Sequence, residues 1–350
     1  MKKYAYLILL SVMCNACEQQ QDAVNYFTDV KQIIAYDSIY SDINDEVAGI
    51  TGINKYKNIL IAENRTTDYF FSFYDIEKGV YLGSWGTRGQ GPDDFNSPGG
   101  IAVVDSQLVF TDMAKKEIVY VPIERILNKE ENVNIRRESY PRTADFSPFY
   151  VAITKDKKIA LGTFKDSRFG VLDAENNIVD CPSDYPFNYE EIPGIYRGFA
   201  FQSQIKSNIE QSKFVISTFC SDIFEIYQIT DAGIIRIYVS PFTHIPKIKE
   251  TPGRNSGYDV DRRESIGGLV NLAITNDLIY FAYSSKKYID YYNSGYLSNE
   301  ILCYNWDGEK IKKYILPFPI IAYSFCVDNE YIYGVREYEE ETVIYRFRMN

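Results

Sequence analysis

The feature that most constrains this fold is a repeat of four short apolar or alternating runs, which recurs about every fifty residues from Val47 onward. Turns rich in Asp, Asn, Gly and Lys separate the runs, a pattern typical of antiparallel β-meanders. No stretch has the pattern of a long amphipathic helix. Each unit therefore predicts one four-stranded sheet. The first contains VAGITGI, NILIAEN, YFFSFYDI and VYLGSWG, and the second GGIAVVD, QLVFTDM, EIVYVPI and NVNIRRESY.

The next three units keep this order. The third runs FYVAITKD, KIALGTF, RFGVLDAEN and IVDCPSDY, and the fourth AFQSQIKSN, KFVISTFC, IFEIYQITDAG and IIRIYVSPF. The fifth, GLVNLAITND, LIYFAYSS, EILCYNWDGE and KIKKYILP, contains an excursion from Ser285 to Asn299, and a long connection between Phe242 and Ser265 precedes it. Both insertions fall between predicted strands, where repeats tolerate them.

The sixth unit offers only three runs, AYSFCVDN, YIYGVRE and TVIYRFR. The unassigned run from Val30 to Ile39 can supply the missing strand, and pairing the first and last segments would remove exposed sheet edges. A β-sandwich needs no such equal spacing, and an open solenoid needs polar caps rather than one spare strand. We therefore predict an all-β fold, a single six-bladed β-propeller over residues 30–350 that the N-terminal strand closes.

The N-terminus has the pattern of a secretory signal. Lys2 and Lys3 precede an apolar run from Tyr4 to Met13, which is too short for a membrane span. The end of this region, LLSVMCNAC, resembles a bacterial lipobox, in which a small residue precedes the acylated Cys. Cys17 follows Ala16 and fits this pattern better than Cys14, which follows Met13.

These features predict an exported lipoprotein. Residues 1–16 would be the signal peptide, Cys17 the lipidation site and residues 17–29 a polar tether. The lipid anchor would hold the protein in the cell envelope, at the periplasmic or surface face of the outer membrane. Cys14 and Cys17 also form a CxxC pattern, but its position in the signal segment disfavours redox or metal chemistry.

Composition excludes several classes of function. The net charge of −11 would repel phosphate backbones, and no run of Lys and Arg offsets it, so we expect no nucleic-acid partner. With His244 as the single His, neither a two-His metal site nor a shared His relay can form. His244 follows a predicted strand, where a hydrogen-bonding connector residue is favoured over a catalytic base.

Other candidate chemistry is equally weak. Asp259 and Asp261 could offer oxygen ligands to calcium, but the Gly and terminal Glu of an EF-type loop are missing, and a solvated loop is favoured. Four body cysteines lack metal-ligand spacing: Cys181, Cys220, Cys303 and Cys326. Buried free thiols are the favoured interpretation for most of them, although an even set in an exported protein also permits disulfides. We predict no catalytic residue, no metal and no cofactor.

One segment carries a family resemblance. The sequence GSWGTRGQGPDDFNSPGGIAVVDSQLVFTDMAKKEIVYV, from Gly83 to Val121, resembles an NHL-type propeller repeat. Together with the lipobox and YNWDGEKIKKYILP, it makes the chain similar to TolB-like six-bladed propeller lipoproteins of gram-negative bacteria. The resemblance implies a binding scaffold. A phosphate-binding loop is disfavoured because a strand, IAVVD, follows the glycines where such a loop needs a helix. The Gly-rich segment is therefore predicted to connect two blades.

A cation recurs in the turn after the second predicted strand of five units, whereas the fourth unit has Cys220 there. Such turns and the blade connectors should crowd one mouth of a propeller channel. Converging cations would favour an anionic ligand, although Lys and Arg are also common at ordinary exposed turns. The candidate ligand-binding residues are these five and one from the Gly-rich connector: Arg65, Lys115, Lys165, Lys286, Arg336 and Arg88.

We therefore expect a non-catalytic binding module of the cell envelope, whose ligand is an anionic small molecule, a glycan, a peptide or a protein partner. Two alternatives stay open: a propeller-type lyase or hydrolase acting on envelope or dietary glycans, and an envelope assembly scaffold. Turnover of glycans by the purified protein would favour the enzyme, whereas saturable binding without product would favour the binding module.

Overall fold

Six sheets follow one another along the chain. The computed structural model describes residues 24–350 except 43–48, 142, 144–145, 156, 165–166, 188–191, 193, 252–256 and 340. The predicted signal peptide, Cys17 and Lys165 therefore lie outside the described residues. Two strands come first, β1 (Val30–Gln32) and β2 (Tyr36–Asp42), and the sheets, here called blades 1 to 6, follow.

The first three blades have four strands each. Blade 1 contains β3 (Ile50–Tyr56), β4 (Ile59–Asn64), β5 (Tyr69–Asp75) and β6 (Val80–Thr87). Blade 2 contains β7 (Pro98–Val104), β8 (Gln107–Asp112), β9 (Glu117–Pro122) and β10 (Arg136–Ser139), with helix α1 (Ile123–Leu127) before its last strand. Blade 3 contains β11 (Phe146–Ile153), β12 (Lys158–Phe164), β13 (Gly170–Leu172) and β14 (Ile178–Asp180).

The second half continues the pattern with insertions. Helix α2 (Gly194–Ala200) precedes blade 4, which contains β15 (Ser203–Asn208), β16 (Lys213–Thr218), β17 (Phe224–Thr230) and β18 (Gly233–Val239). A hairpin of β19 (Ile248–Glu250) and β20 (Tyr258–Val260) follows. Blade 5 contains β21 (Ile266–Ile274), β22 (Leu278–Lys287), α3 (Tyr288–Asn293), β23 (Leu297–Asn305) and β24 (Lys310–Ile321). Blade 6 contains β25 (Phe325–Val327), β26 (Tyr331–Glu337) and β27 (Thr342–Arg348).

The first strands of the blades form a closed ring. Each of β3, β7, β11, β15 and β21 contacts the next, and β25 of blade 6 returns to contact β3 of blade 1. The predicted repeat of sheets is therefore a six-bladed β-propeller. Among the described residues, the turns between second and third strands and the blade connectors lie at the same end of this ring, because strands alternate in direction. We call this end the connector face.

The N-terminal segment closes the ring as predicted, but it does so in two pieces. Strand β2 pairs antiparallel with β27 and completes blade 6, with Tyr36 opposite Phe347. Strand β1 instead pairs in parallel with β24 and adds a fifth strand to blade 5. Between them Ile33 is buried and donates its backbone N–H to Ile315 O at 2.9 Å. The predicted single run from Val30 to Ile39 therefore spans two neighbouring blades.

Residues 24–29, which the sequence assigns to the tether, pack onto the body. Val24 is fully buried, and its carbonyl accepts a hydrogen bond from the Tyr304 hydroxyl. The ring of Phe27 lies edge-on to that of Tyr304, with centroids 5.3 Å apart. These contacts anchor the start of the described chain between blades 4 and 5, where both residues join the apolar cluster.

The core lies between adjacent blades, which explains why the second strands read as continuous apolar runs. In β4, Ile59 and Ile61 pack toward blade 2, whereas Leu60 and Ala62 pack toward blade 6. Because successive side chains of a strand point to opposite faces, a strand between two blades must be apolar at every position. None of the helices among the described residues is long and apolar enough to cross a membrane.

Candidate functional site

A cavity of about 620 Å³ occupies the axis of the ring. Its walls are the six inner strands, and its mouth at the connector face is formed partly by Arg65, Arg88 and Phe219. Polar side chains tie these strands together: Asn271 donates to Tyr323 O at 2.7 Å, and Ser207 donates to Ile153 O. The cavity wall is thus held by hydrogen bonds between blades.

Glycines on the inner strands admit side chains from elsewhere. Gly52 of β3 lies opposite Glu63 of β4, and a Cβ at Gly52 would lie 2.7 Å from the Glu63 carboxylate carbon. Glu63 therefore reaches the cavity over a strand that has no side chain at that point. Similarly, a Cβ at Gly99 would lie 2.6 Å from the ring of Tyr150, so this glycine accommodates the tyrosine.

Glu63 is a carboxyl group in a desolvated position. Burial raises its pKa to about 6, because the charged form loses hydration. The charges of Lys206 and Arg65 oppose this shift, as does a 3.1 Å hydrogen bond from Asn54 Nδ2 to Glu63 Oε1. Near neutral pH the Glu63 carboxylate is therefore negatively charged. It is the one carboxylate among the described residues that line the cavity.

Lys206 projects into the cavity from the opposite wall. It belongs to β15 of blade 4, three places around the ring from Glu63 in blade 1. Its Nζ donates to Ile101 O of blade 2 at 2.7 Å, so the side chain crosses part of the channel. Burial lowers the pKa of Lys206, and the charge of Glu63 partly offsets this effect. The ammonium group is held at the axis of the ring.

Two of the predicted cations, Arg65 and Arg88, line the mouth. Arg65 is exposed, and its guanidinium makes no hydrogen bond or ion pair with any described residue. Arg88 is committed to the blade 1 turn: its Nε donates to Thr67 O at 2.6 Å, another nitrogen donates to Asn64 O, and it lies 3.7 Å from the Phe70 ring centroid. Of the two, Arg65 has its guanidinium available to a ligand.

The other described candidates do not line the cavity. Lys115 donates to Gly91 O and Asp94 O, each at 2.7 Å, and thereby fastens the Gly-rich connector. Arg336 packs 5.0 Å from the Tyr338 ring centroid, and Lys286 is exposed at the end of β22. That these cations take part in ligand binding stays a prediction, and Lys165 lies outside the described residues.

The Gly-rich connector itself wraps around one of its own carboxylates. Gly91 N donates to Asp94 Oδ2 at 2.9 Å, and Thr87 donates to the other oxygen. A Cβ at Gly89 would come within 2.3 Å of the same carboxylate. The glycines thus make room for Asp94, and the segment joins blades 1 and 2 as predicted.

Sequence reasoning missed Glu63, Lys206 and Tyr150. One signal for Lys206 was present: the run AFQSQIKSN alternates Gln204, Lys206 and Asn208, as expected for an inner strand with one face toward a channel. Glu63 gave no comparable signal, because its access depends on the register that places Gly52 beside it.

The other residues that the sequence offered for catalysis or metal binding do not form a site among the described residues. The side chain of His244 interacts through Nδ1 with Asp222 at 3.1 Å and with Thr243 at 2.9 Å, in a connector. The four cysteines Cys181, Cys220, Cys303 and Cys326 are free. No group of three His, Cys, Asp or Glu side chains suited to a metal ion occurs in the described part of the chain.

A closed ring of six blades around a polar cavity defines a six-bladed β-propeller with a candidate ligand site on its axis. The family model for TolB-like 6-blade propeller-like proteins matches residues 32–330, so the chain belongs to that family. A comparison with curated proteins found no match.

Two solved structures share the fold. A member of the DUF4221 family from Bacteroides vulgatus has a TM-score of 0.60 and 13% identity, covering 90% of this chain and 97% of that one. A Bacteroides fragilis protein, whose name proposes that it is exported, has a TM-score of 0.52 and 14% identity, covering 93% and 95%. At these identities the likeness establishes the architecture alone.

Proposed function

We propose that this chain is a cell-envelope binding module that holds a small anionic ligand, such as a carboxylate or an acidic glycan unit, in the central cavity. One observation carries the proposal. Among the described residues that line the cavity, one carboxylate, Glu63, is outnumbered by the cations Lys55, Arg65, Arg88 and Lys206, although the whole chain has a net charge of −11.

Lys206 and Arg65 are the best-placed ligand contacts. An ammonium group has three donors, and Lys206 uses one of them on Ile101 O. Lys55 is less available because it pairs with Asp328 at 3.3 Å. A cleft with mainly one sign of charge and low-dielectric walls concentrates its field, which favours entry of an anion from the mouth.

Replacing Lys206 by Met is expected to weaken binding of glucuronate ten- to a hundredfold, because a hydrogen bond from a charged group contributes about 1.5–3 kcal/mol. Wild-type protein should bind glucuronate more tightly than glucose, and added salt should reduce the difference. Isothermal titration calorimetry measures both quantities. The matched control is Lys78→Met, whose ion pair with Asp75 lies on the opposite face. Equal affinity for the two sugars, or full affinity in Lys206→Met, contradicts the proposal.

Affinity for glucuronate should also depend on pH. As the pH falls from about 7.5 to 5, Glu63 takes up a proton around its raised pKa of about 6 and its negative charge disappears. Removing that charge beside Lys206 and Arg65 should raise anion affinity on the order of tenfold. Glu63→Gln should bind tightly at both pH values and show a flat profile. A wild-type profile that is flat, or that falls as the solution becomes acidic, would sink this interpretation.

We further propose that the protein is exported and anchored by lipid at Cys17. The charged n-region, short apolar run and preceding Ala16 support this proposal. Cys17→Ser should release the protein into the soluble fraction and stop incorporation of radiolabelled palmitate, and Cys14→Ser is the matched control. If label still enters Cys17→Ser, then Cys14 is the acylated residue.

A further inference from the structure

A second cavity of about 260 Å³, here called the side pocket, adjoins the central cavity beneath α2. Met113, Tyr150 and Phe219 line both cavities, so the two cavities meet at these side chains. Six of the described residues that line the side pocket are aromatic. Its rings come from two blades and the connector between them: Phe149, Tyr150, Tyr185, Phe199, Phe201 and Phe219.

Close backbone packing builds this pocket. A Cβ at Gly198 of α2 would come within 2.2 Å of Gly162 O, so the helix lies directly on β12. A Cβ at Gly162 would in turn collide with Ser147 O at 2.0 Å. These two glycines let α2 approach closely enough for Phe199 to face Phe149, with ring centroids 5.2 Å apart.

The two buried polar side chains in the wall, Arg168 and Ser203, already have hydrogen-bond partners. Arg168 donates to Glu225 at 2.9 Å, to Thr218 Oγ1 at 2.6 Å and to Phe201 O at 3.4 Å. Ser203 also donates its hydroxyl to Phe201 O, at 2.8 Å. A sugar ring would leave hydroxyls unpaired against such walls, which is unfavourable, whereas a planar apolar ring needs no partner. The chemistry of the pocket therefore selects an aromatic group.

We propose that the side pocket binds an aromatic ring of the same ligand whose carboxylate lies in the central cavity. This inference rests on the proposed function and narrows the ligand class to carboxylates that carry an aromatic ring. Size is sufficient, because an engineered cavity of about 150 Å³ holds benzene. Because Tyr150 lines both cavities, the ring and carboxylate sites are adjacent, and the ligand we propose joins them with a short linker.

The test compares 3-phenylpropionate, 4-phenylbutyrate and 5-phenylpentanoate with alkanoates of equal chain length by calorimetry. At least one phenyl acid should bind ten times more tightly than its alkanoate. Phe199→Ala should reduce that ratio below threefold and leave alkanoate affinity unchanged, since Phe199 lines only the side pocket. Tyr292→Ala is the control, an exposed tyrosine in α3 that lines neither cavity. If Phe199→Ala fails to fold, Phe199→Leu replaces it.

Three results would overturn the inference. In the first, phenyl acids and alkanoates bind with equal affinity, and Lys206→Met still abolishes alkanoate binding. This result refutes aromatic binding in the side pocket but is consistent with the proposed function. A phenyl preference that Phe199→Ala leaves intact places the ring elsewhere. The third result is that neutral 4-fluorotoluene binds, as monitored by ¹⁹F NMR, whereas no carboxylate binds. It refutes both the single-ligand arrangement and the proposed function.

Discussion

A chain that begins at residue 43 is expected to lose cooperative folding, whereas a chain that begins at residue 24 folds. The deleted segment contributes four buried apolar side chains, Val24, Phe27, Ile33 and Ile39. At about 1.5–3 kcal/mol each, their loss removes about 6–12 kcal/mol, against a typical total stability of about 5–15 kcal/mol. Deletion also exposes the edge of β27, an open template for pairing between chains.

Thermal unfolding followed by circular dichroism, with size-exclusion chromatography for aggregation, compares the two chains. An intermediate chain beginning at residue 34 retains β2 but lacks β1 and the residues before it, so it should fold with reduced stability. Ring closure by β2 would be refuted if the chain beginning at residue 43 melted at the same temperature as the chain beginning at residue 24.

Glu225→Ala is expected to destabilise the protein by about 3–5 kcal/mol, because it leaves a buried arginine without its counter-charge. Arg168 and Glu225 are 1% and 0% exposed and pair at 2.9 Å across the interface of blades 3 and 4. The same carboxylate accepts a 2.5 Å hydrogen bond from the Tyr227 hydroxyl and pairs with Arg236. Chemical denaturation measures the free energy of unfolding directly.

The double variant Arg168→Met with Glu225→Leu separates burial of charge from loss of packing. An apolar pair of similar volume removes both charges, so it should recover at least half of the lost stability. Glu124→Gln is the matched control, since the Lys57–Glu124 pair is exposed and should leave the melting temperature nearly unchanged. If Glu225→Ala were as mild as Glu124→Gln, the network would carry no appreciable stability.

The number and order of the blades could be predicted from the sequence because both faces of the second strand of each blade are largely buried. A run such as NILIAEN must be apolar throughout when it lies between two blades, and turn residues mark where it ends. The boundary of the closing strand was less accessible. Val30 and Tyr36 both lie in apolar segments. The hydrophobic pattern of the sequence does not show that the chain passes from blade 5 to blade 6 at Ile33.

The candidate site was predictable only in part. Spacing after the second strand identified the turn that carries Arg65, and the structure places this residue at the cavity mouth. The same spacing also identified Lys115, which instead fastens the connector through Gly91 and Asp94. Both are turn cations in the sequence, and only the course of the neighbouring connector distinguishes them.

The sequence by itself thus determined the class of fold, through local patterns of burial and turn formation that each unit repeats. Tertiary structure alone decided which side chains face the axis. Glu63 and Lys206 are remote in sequence and come together because the ring places blade 1 opposite blade 4. The room for Glu63 exists because strand register sets Gly52 beside it, and register is a property of the paired strands rather than of either run alone.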